Sequence, residues 1–204
     1  MFQFIESICC LNRELRNIEL HQERFERTRK EHFPEAPSIS LMEAIQLPSD
    51  LDDGKYKVRI VYGAEIESIE YIPYEMKEIK TIQLHSIDNE ITYFYKYADR
   101  WFLDEYIKET QCDDLVLVRT NYITDATYSN LIFFNGVEWH TPTTCLLNGT
   151  MRQQLLNEGK IREVNIKTRN LADYYSFKRI NAMMSFDETQ TFDIQILLDS
   201  LQKQ

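Results

Sequence analysis

The sequence predicts a mixed α/β (α+β) chain in two segments, and three observations carry that reading. Apolar runs with strand character recur along the chain. Stretches with helix start and stop signals lie among them, and glycine and proline, at 5 each in 204 residues, are too few for long linkers. Strands and helices mixed in this way bury their apolar faces by layering one on another.

Phe4 to Leu11 is apolar and reads as a strand, followed by a turn at Asn12-Arg13-Glu14 and a second short strand over Leu15–Ile18. His21 to Phe33 is rich in charge, with His21 and Phe25 one helical turn apart. It reads as a surface helix that stops before Pro34, since the residue preceding a proline is pushed out of the helical region. Ser40-Leu-Met-Glu43 has the form of a capping box and opens a short helix ending before Pro48. After a loop over Ser49–Gly54 the pattern turns to alternation, with Tyr56, Val58, Ile60 and Tyr62 on one face of a strand. Ile66 to Ile72 reads as another strand, closed by Pro73.

Strands are expected near Thr81–Ile87 and Ile91–Tyr95, then a helix carrying Trp101, Tyr106 and Ile107, then a short buried strand at Leu115–Val118. Leu131 to Trp139 has the form of a hairpin with Asn135-Gly136 as its turn. Met151 to Glu158 reads as a helix with Gly159 just past its end, where a left-handed residue is favoured. Strands at Arg162–Ile166 and Arg179–Phe186 and an amphipathic helix over Asp193–Leu201 complete the chain. The expected division is a small N-terminal α/β domain over residues 1–68 and a larger domain over residues 69–204.

A net charge of −10 repels nucleic acid and anionic membrane surfaces, so neither is an expected partner. No stretch approaches a membrane span, and the N-terminus lacks the basic and apolar regions of a signal peptide; the reading is a cytoplasmic protein. Cys9, Cys10, Cys112 and Cys145 show no metal-ligand spacing. They read as reduced thiols, and no metal is expected.

Three local features carry chemistry. Asn148-Gly149-Thr150-Met151-Arg152 puts a glycine at the start of a helix, whose free N–H groups suit a phosphate; a plain N-cap is the commoner use of such a pair. Ile123 to Asn130 gathers a carboxylate, Asp125, and several small polar residues beside buried strands. Taken alone, the stretch is better accounted for by a turn in which Asp125 caps backbone groups. In Tyr93-Phe-Tyr-Lys-Tyr97, Lys96 lies among aromatics. Partial desolvation there lowers an amine from ~10.4 towards neutrality, as attack on a carbonyl requires, although a snorkelling lysine has the same local sequence.

The order of these features resembles the class IV aminotransferases, or fold-type IV pyridoxal-phosphate enzymes, from about Ile5 to about Phe186. This group includes branched-chain and D-amino-acid aminotransferases and 4-amino-4-deoxychorismate lyase. His21-Gln-Glu-Arg24 matches the family's His-x-x-Arg, and Lys96 matches its Schiff-base lysine. Thr124-Asp125 with Ser129-Asn130-Leu-Ile-Phe133 matches the following motif, and Thr141-Pro142 with Leu147-Asn-Gly-Thr-Met-Arg152 the next. The resemblance implies a two-domain fold like that of D-amino-acid aminotransferase, pyridoxal 5′-phosphate as cofactor, and Lys96 as the catalytic amine, placed in the larger domain. It further implies that Arg24, Gly149, Thr150 and Met151, and the Asn181-Ala182 segment hold the phosphate, that Asp125 pairs with the pyridine nitrogen, and that the protein acts on a small molecule as a homodimer.

Two departures stand out. The family usually has Glu where Asp125 stands, a shortfall of one methylene made up by ~1 Å of backbone approach or a water. The chain is also shorter than typical members and begins almost at the first strand pair. Lys96-x-x-x-Arg100 and Asn181-Ala182 resemble 4-amino-4-deoxychorismate lyase most, which implies release of p-aminobenzoate and pyruvate on the way to folate, with Arg100 meeting the substrate carboxylates. An ion pair of Arg100 with Asp99 or Asp104 is the plain alternative. A small transaminase for branched-chain or D-amino acids and a non-catalytic pyridoxal-phosphate-binding relative are the other readings.

Overall fold

The apolar run at the start of the chain becomes β1 (Phe4–Leu11) in this computed structural model, which describes residues 3–91 and 93–202. β1 pairs antiparallel with β3 (Lys55–Tyr62), with Phe4 opposite Tyr62 and Leu11 opposite Lys55. β3 pairs in turn with β4 (Ile66–Pro73), and β2 (Glu14–Leu15) takes one end of β1's other edge, in the order β2-β1-β3-β4. The alternation read from the sequence is what buries Val58, Ile60 and Tyr62. They form a core with Phe4, Ile8, Leu41 and Phe25, which stands on α1 (Ile18–His32). The rings of Phe25 and Tyr62 lie 4.5 Å apart, and each large side chain buried here contributes ~1.5–3 kcal/mol. Ser40 caps α2 (Leu41–Ala44), its hydroxyl accepting the Glu43 N–H at 3.3 Å.

α1 begins three residues before the expected start. Asn17 adopts a left-handed conformation at φ 53°, and Ile18, expected to end a strand, opens the helix because its side chain is buried in this core. The division of the chain also differs from the expected boundary at residue 68. β4 is bonded to β3 along its length, so the chain leaves this unit only after Met76, and Tyr95–Asp99 returns to it. The returning segment lies on the β1 edge that β2 leaves open. Phe4 and Tyr97 form a bridge, Ile5 donates its N–H to the Lys96 carbonyl at 2.9 Å, and Ala98 donates to the Gln3 carbonyl at 2.8 Å. Lys96 therefore belongs with the first unit rather than with the larger one.

The second unit comprises Lys77–Phe94 and Arg100–Gln204. Its three-stranded sheet runs β5 (Ile82–Ser86), β6 (Asp114–Arg119), β7 (Tyr122–Ala126). The parallel pair β5/β6 is connected through α3 (Trp101–Thr110), and the antiparallel pair β6/β7 through Thr120 and Asn121, both left-handed as a tight hairpin turn requires. The five-stranded sheet has the order β10 (Ile161–Val164), β9 (Trp139–Pro142), β8 (Asn130–Phe134), β11 (Ser176–Ile180), β12 (Thr191–Asp193). β8 reads as continuously apolar because both its faces are buried. Leu131 and Phe133 enter one core with Val116, Phe177 and Leu197, while Ile132 enters another with Met151, Leu155 and Ile180.

α4 (Thr150–Asn157) ends as its sequence indicates. Gly159 at φ 65° lets its own N–H reach the Leu156 carbonyl and that of Lys160 reach the Leu155 carbonyl. α5 (Gln195–Leu201) is shorter than expected. Of the strand expected over Ile91–Tyr95, Thr92 lies outside the described residues and the rest is irregular: Asp88 turns the chain by accepting the Glu90 N–H, and Arg119 binds the Ile91 carbonyl. The strand expected to run to Phe186 stops at Ile180, where the Asn181 side chain accepts the Met183 N–H at 2.8 Å and folds the backbone into a turn. Among the described residues no helix is long and apolar enough to cross a membrane, and no group of His, Cys, Asp or Glu could hold a metal ion.

Candidate active site

In the first unit, β1 places Glu6, the only charged residue of its run, where it has no exposure to solvent. α1 brings His21 and Arg24, three residues apart and so on one helix face, onto that carboxylate. Arg24 donates Nε–H to Oε1 at 2.8 Å and Nη2–H to Oε2 at 2.5 Å, and His21 Nδ1 meets Oε2 at 2.5 Å. Burial alone would raise the Glu6 pKa, but the charge and hydrogen bonds of Arg24, joined by His21, outweigh it and hold the carboxyl down at about 2. Such a carboxylate only accepts, so His21 Nδ1 carries the proton. His21 itself is pushed below its ordinary value, chiefly by burial; Glu6 opposes this, and the charges of Arg24 and Lys96 reinforce it. Lys96 is half-buried, and its neighbours Tyr95 and Tyr97 pack on Phe4, the first edge-on and the second tilted, with ring centroids 6.1 and 5.1 Å away.

In the second unit Asp125 sits near the end of β7, buried. Its Oδ1 accepts Asn130 Nδ2–H at 2.7 Å, and its Oδ2 accepts the N–H groups of Leu146 and Leu147 at 2.8 and 3.0 Å. The backbone-capping role that its sequence context allows is thus present. Burial raises the Asp125 pKa to about 6, only partly offset by the donors Leu147, Asn130 and Leu146 and by the charge of Arg152. Asn130 spends its second amide proton on the Leu147 carbonyl at 2.7 Å. Its Oδ1 lies where a Cβ on residue 149 would stand, 2.2 Å away, so only glycine fits at the start of α4. Thr150 and Met151, the first residues of α4, are buried. Arg152 is a clamp, reaching the Asn148 side chain, the Pro142 carbonyl and Glu163.

Asn181 donates its amide to the Tyr128 carbonyl at 3.1 Å, and Ala182 follows it in the turn. The Arg100 guanidinium lies 4.7 Å from the Tyr128 ring centroid, and the Tyr128 hydroxyl binds Asp104. The structure thus joins Asp125 to the residues around Gly149, and Arg100 to Asn181 through Tyr128. Arg24 and Lys96 stand in the first unit with Glu6 and His21. Sequence reasoning missed Glu6, Tyr128 and the partner role of Asn130. The signal for Glu6 was a lone carboxylate in an apolar strand, which burial tolerates only with a paired cation. It also missed a buried ion pair, Arg179 Nη1 to Asp114 Oδ2 at 2.6 Å, whose other carboxylate oxygen holds the Thr127 N–H at the turn before β8.

The model of a family described as amino-transferase class IV matches residues 3–186. An uncharacterised Haemophilus influenzae protein is 37% identical over 186 residues, covering 90% of this chain and 98% of that protein. A Haemophilus somnus crystal structure, described as a candidate 4-amino-4-deoxychorismate lyase, is 29% identical with a TM-score of 0.81, covering 91% of this chain and 98% of that one. The branched-chain amino acid aminotransferase of Escherichia coli, at 17% identity and a TM-score of 0.72 over 94% of this chain and 75% of that one, shares the fold.

Proposed function

Because the chain belongs to the class IV aminotransferase family, whose members are pyridoxal-phosphate-dependent aminotransferases and lyases, we propose that this enzyme converts 4-amino-4-deoxychorismate to p-aminobenzoate and pyruvate. The observation that carries this choice is the likeness to the Haemophilus somnus structure, in identity and in nearly complete mutual coverage. Lys96-x-x-x-Arg100 and Asn181-Ala182 support it from the sequence.

Pyridoxal phosphate needs an anion cradle, an amine and an ionised carboxylate, and the residues present fit on each count. Arg24 is a buried guanidinium, α4 opens at Gly149 with its first-turn N–H groups, Lys96 is an amine, and Asp125 is ionised above a pH of about 6. When bound, the cofactor supplies an electron sink for the pair released at the substrate carbon.

In this reading Arg24, the N–H groups at Gly149, Thr150 and Met151, and the Asn181-Ala182 turn hold the phosphate. Asp125, its carboxylate oriented by Asn130, Leu146 and Leu147, keeps a proton on the ring nitrogen. Lys96 takes the proton from the ring carbon bearing the amine. The C–O bond to the enolpyruvyl group then breaks, and Lys96 returns a proton to the methylene carbon of the departing pyruvate. Arg100, its guanidinium over the Tyr128 ring, meets a substrate carboxylate. The enzyme is taken to act in the cytoplasm as a homodimer.

The test is to mix the purified protein with 4-amino-4-deoxychorismate and measure p-aminobenzoate and pyruvate in equal amounts. Transamination of amino acids with no p-aminobenzoate would overturn the lyase assignment. Borohydride should fix the cofactor to the peptide containing Lys96; labelling of Lys77 or Lys80 would refute the choice of amine.

A further inference from the structure

We infer that Glu6 is a positioning residue that sets the edge of the Arg24 guanidinium turned towards the cofactor phosphate; this rests on the reading of Arg24 given above. A buried carboxylate in the middle of an apolar strand is costly, and an apolar or amide side chain would serve β1 at less expense. What the carboxylate provides is geometry. It grips the guanidinium side-on through Nε and Nη2, at 2.8 and 2.5 Å, which fixes both the plane of the group and the direction of its remaining donors. Oε2 is held from another side by His21 Nδ1 at 2.5 Å, so the carboxylate cannot turn with the arginine. Both partners stand on α1 and Glu6 stands on β1, so this clamp also ties the helix to the strand that Lys96 borders through the Ile5 N–H. Recognition of phosphate by arginine is planar and directional, and a guanidinium free to rotate about its last bonds would lose part of it.

Charge and positioning predict opposite outcomes for the same substitution. Glu6 cancels the charge of Arg24, so on charge alone Glu6→Gln should tighten the binding of a dianionic phosphate. If Glu6 orients Arg24, Glu6→Gln should weaken it, because an amide offers a single oxygen where the guanidinium needs two.

The experiment measures the affinity of the full-length apoenzyme for pyridoxal phosphate and for unphosphorylated pyridoxal, and compares their ratio. Glu6→Gln should lower that ratio about tenfold with pyridoxal affinity little changed, Arg24→Met should lower it at least as far, and Glu6→Gln should add nothing in the Arg24→Met background. A purely structural role would weaken both ligands alike. If Arg24→Met leaves the ratio unchanged, Arg24 does not serve the phosphate and the underlying reading fails. If Arg24→Met lowers the ratio but Glu6→Gln leaves it unchanged or raises it, the positioning role alone is refuted. Should Glu6→Gln not fold, Glu6→Asp retains the charge but withdraws the carboxylate by one methylene. The same ratio should fall by a smaller factor, and a wild-type ratio in folded Glu6→Asp overturns the inference.

Discussion

Glu6 in the first unit and Asp125 in the second are both carboxylates withdrawn from solvent, at 0% and 5% exposure. Burial raises the pKa of each, yet one settles at about 2 and the other at about 6. The difference lies in what faces them. Glu6 meets the full positive charge of Arg24 through two hydrogen bonds and a further donor in His21, whereas Asp125 meets two backbone N–H groups and an amide, with Arg152 acting only as a more distant charge. A guanidinium in contact outweighs desolvation; dipoles alone only moderate it. The first carboxylate stays ionised across the physiological range and suits a fixed scaffold. The second lies within reach of protonation near neutral pH.

The largest test of this contrast removes the cation. Arg24→Met leaves the buried Glu6 carboxylate with only the His21 Nδ1–H of its present side-chain donors and without the guanidinium charge, and should cost about 3–5 kcal/mol in denaturant unfolding, the scale for breaking one half of a buried ion pair. A cost below ~1 kcal/mol would mean that the carboxylate relaxes to solvent and that the clamp is not rigid.

The next acts on the support of Asp125. Gly149→Ala drives a Cβ into the Asn130 Oδ1, and should cost about 1–3 kcal/mol while loosening the amide that Asn130 gives to Asp125. Unchanged stability would show that the Asn130 side chain can move aside.

Asp125→Asn should be milder in stability, about 1–2 kcal/mol, since only neutral donors surround the position and one of its acceptors is lost. Its effect should be selective: p-aminobenzoate formation stays measurable, because loss of pyruvate makes an aromatic ring, while side transamination of alanine or glutamate disappears. The reverse pattern would refute both the role of Asp125 and the lyase assignment.

The smallest effect is one of pH. Asp125 is raised from 3.8 to about 6, so its contribution to stability is full below ~3.8 and lost as pH rises through ~6. Glu6 is lowered from 4.5 to about 2, so its contribution is present above ~4.5 and lost as pH falls towards 2. Of these two carboxylates, only Asp125 takes up a proton between pH 7 and 5. kcat/KM should therefore fall on an acid limb near pH 6 while circular dichroism shows the fold intact, and that limb should vanish in Asp125→Asn. An acid limb retained in that variant would assign it to another group.

Several elements could be read without the structure because their causes are local. The alternation of Val58, Ile60 and Tyr62, the Ser40 cap, and the Gly149 start and Gly159 stop of α4 are short-range properties of backbone and side-chain periodicity. The family and its fold were legible too, since the motifs from His21 to Arg152 occur in order. β7 was not. Its Thr124 and Asp125 look like turn residues, and they suit a strand only because Thr124 bonds the Leu117 carbonyl across the hairpin and Asp125 holds the chain at 146–147. β12 has three residues and exists because β11 offers a partner, Phe192 lying opposite Phe177.

By itself, then, the sequence determined the mixed fold class, most helix and strand positions and the motif residues, because propensity, capping and spacing act over a few residues. Tertiary structure alone decided that Tyr95–Asp99 joins the first unit, through bonds to Gln3 and Ile5 some 90 residues earlier in the chain. It alone also decided that Glu6 receives a guanidinium and Asp125 does not. Both outcomes depend on which groups a strand and a helix bring together across long sequence separations, and electrostatic energies follow that distance in space rather than position along the chain.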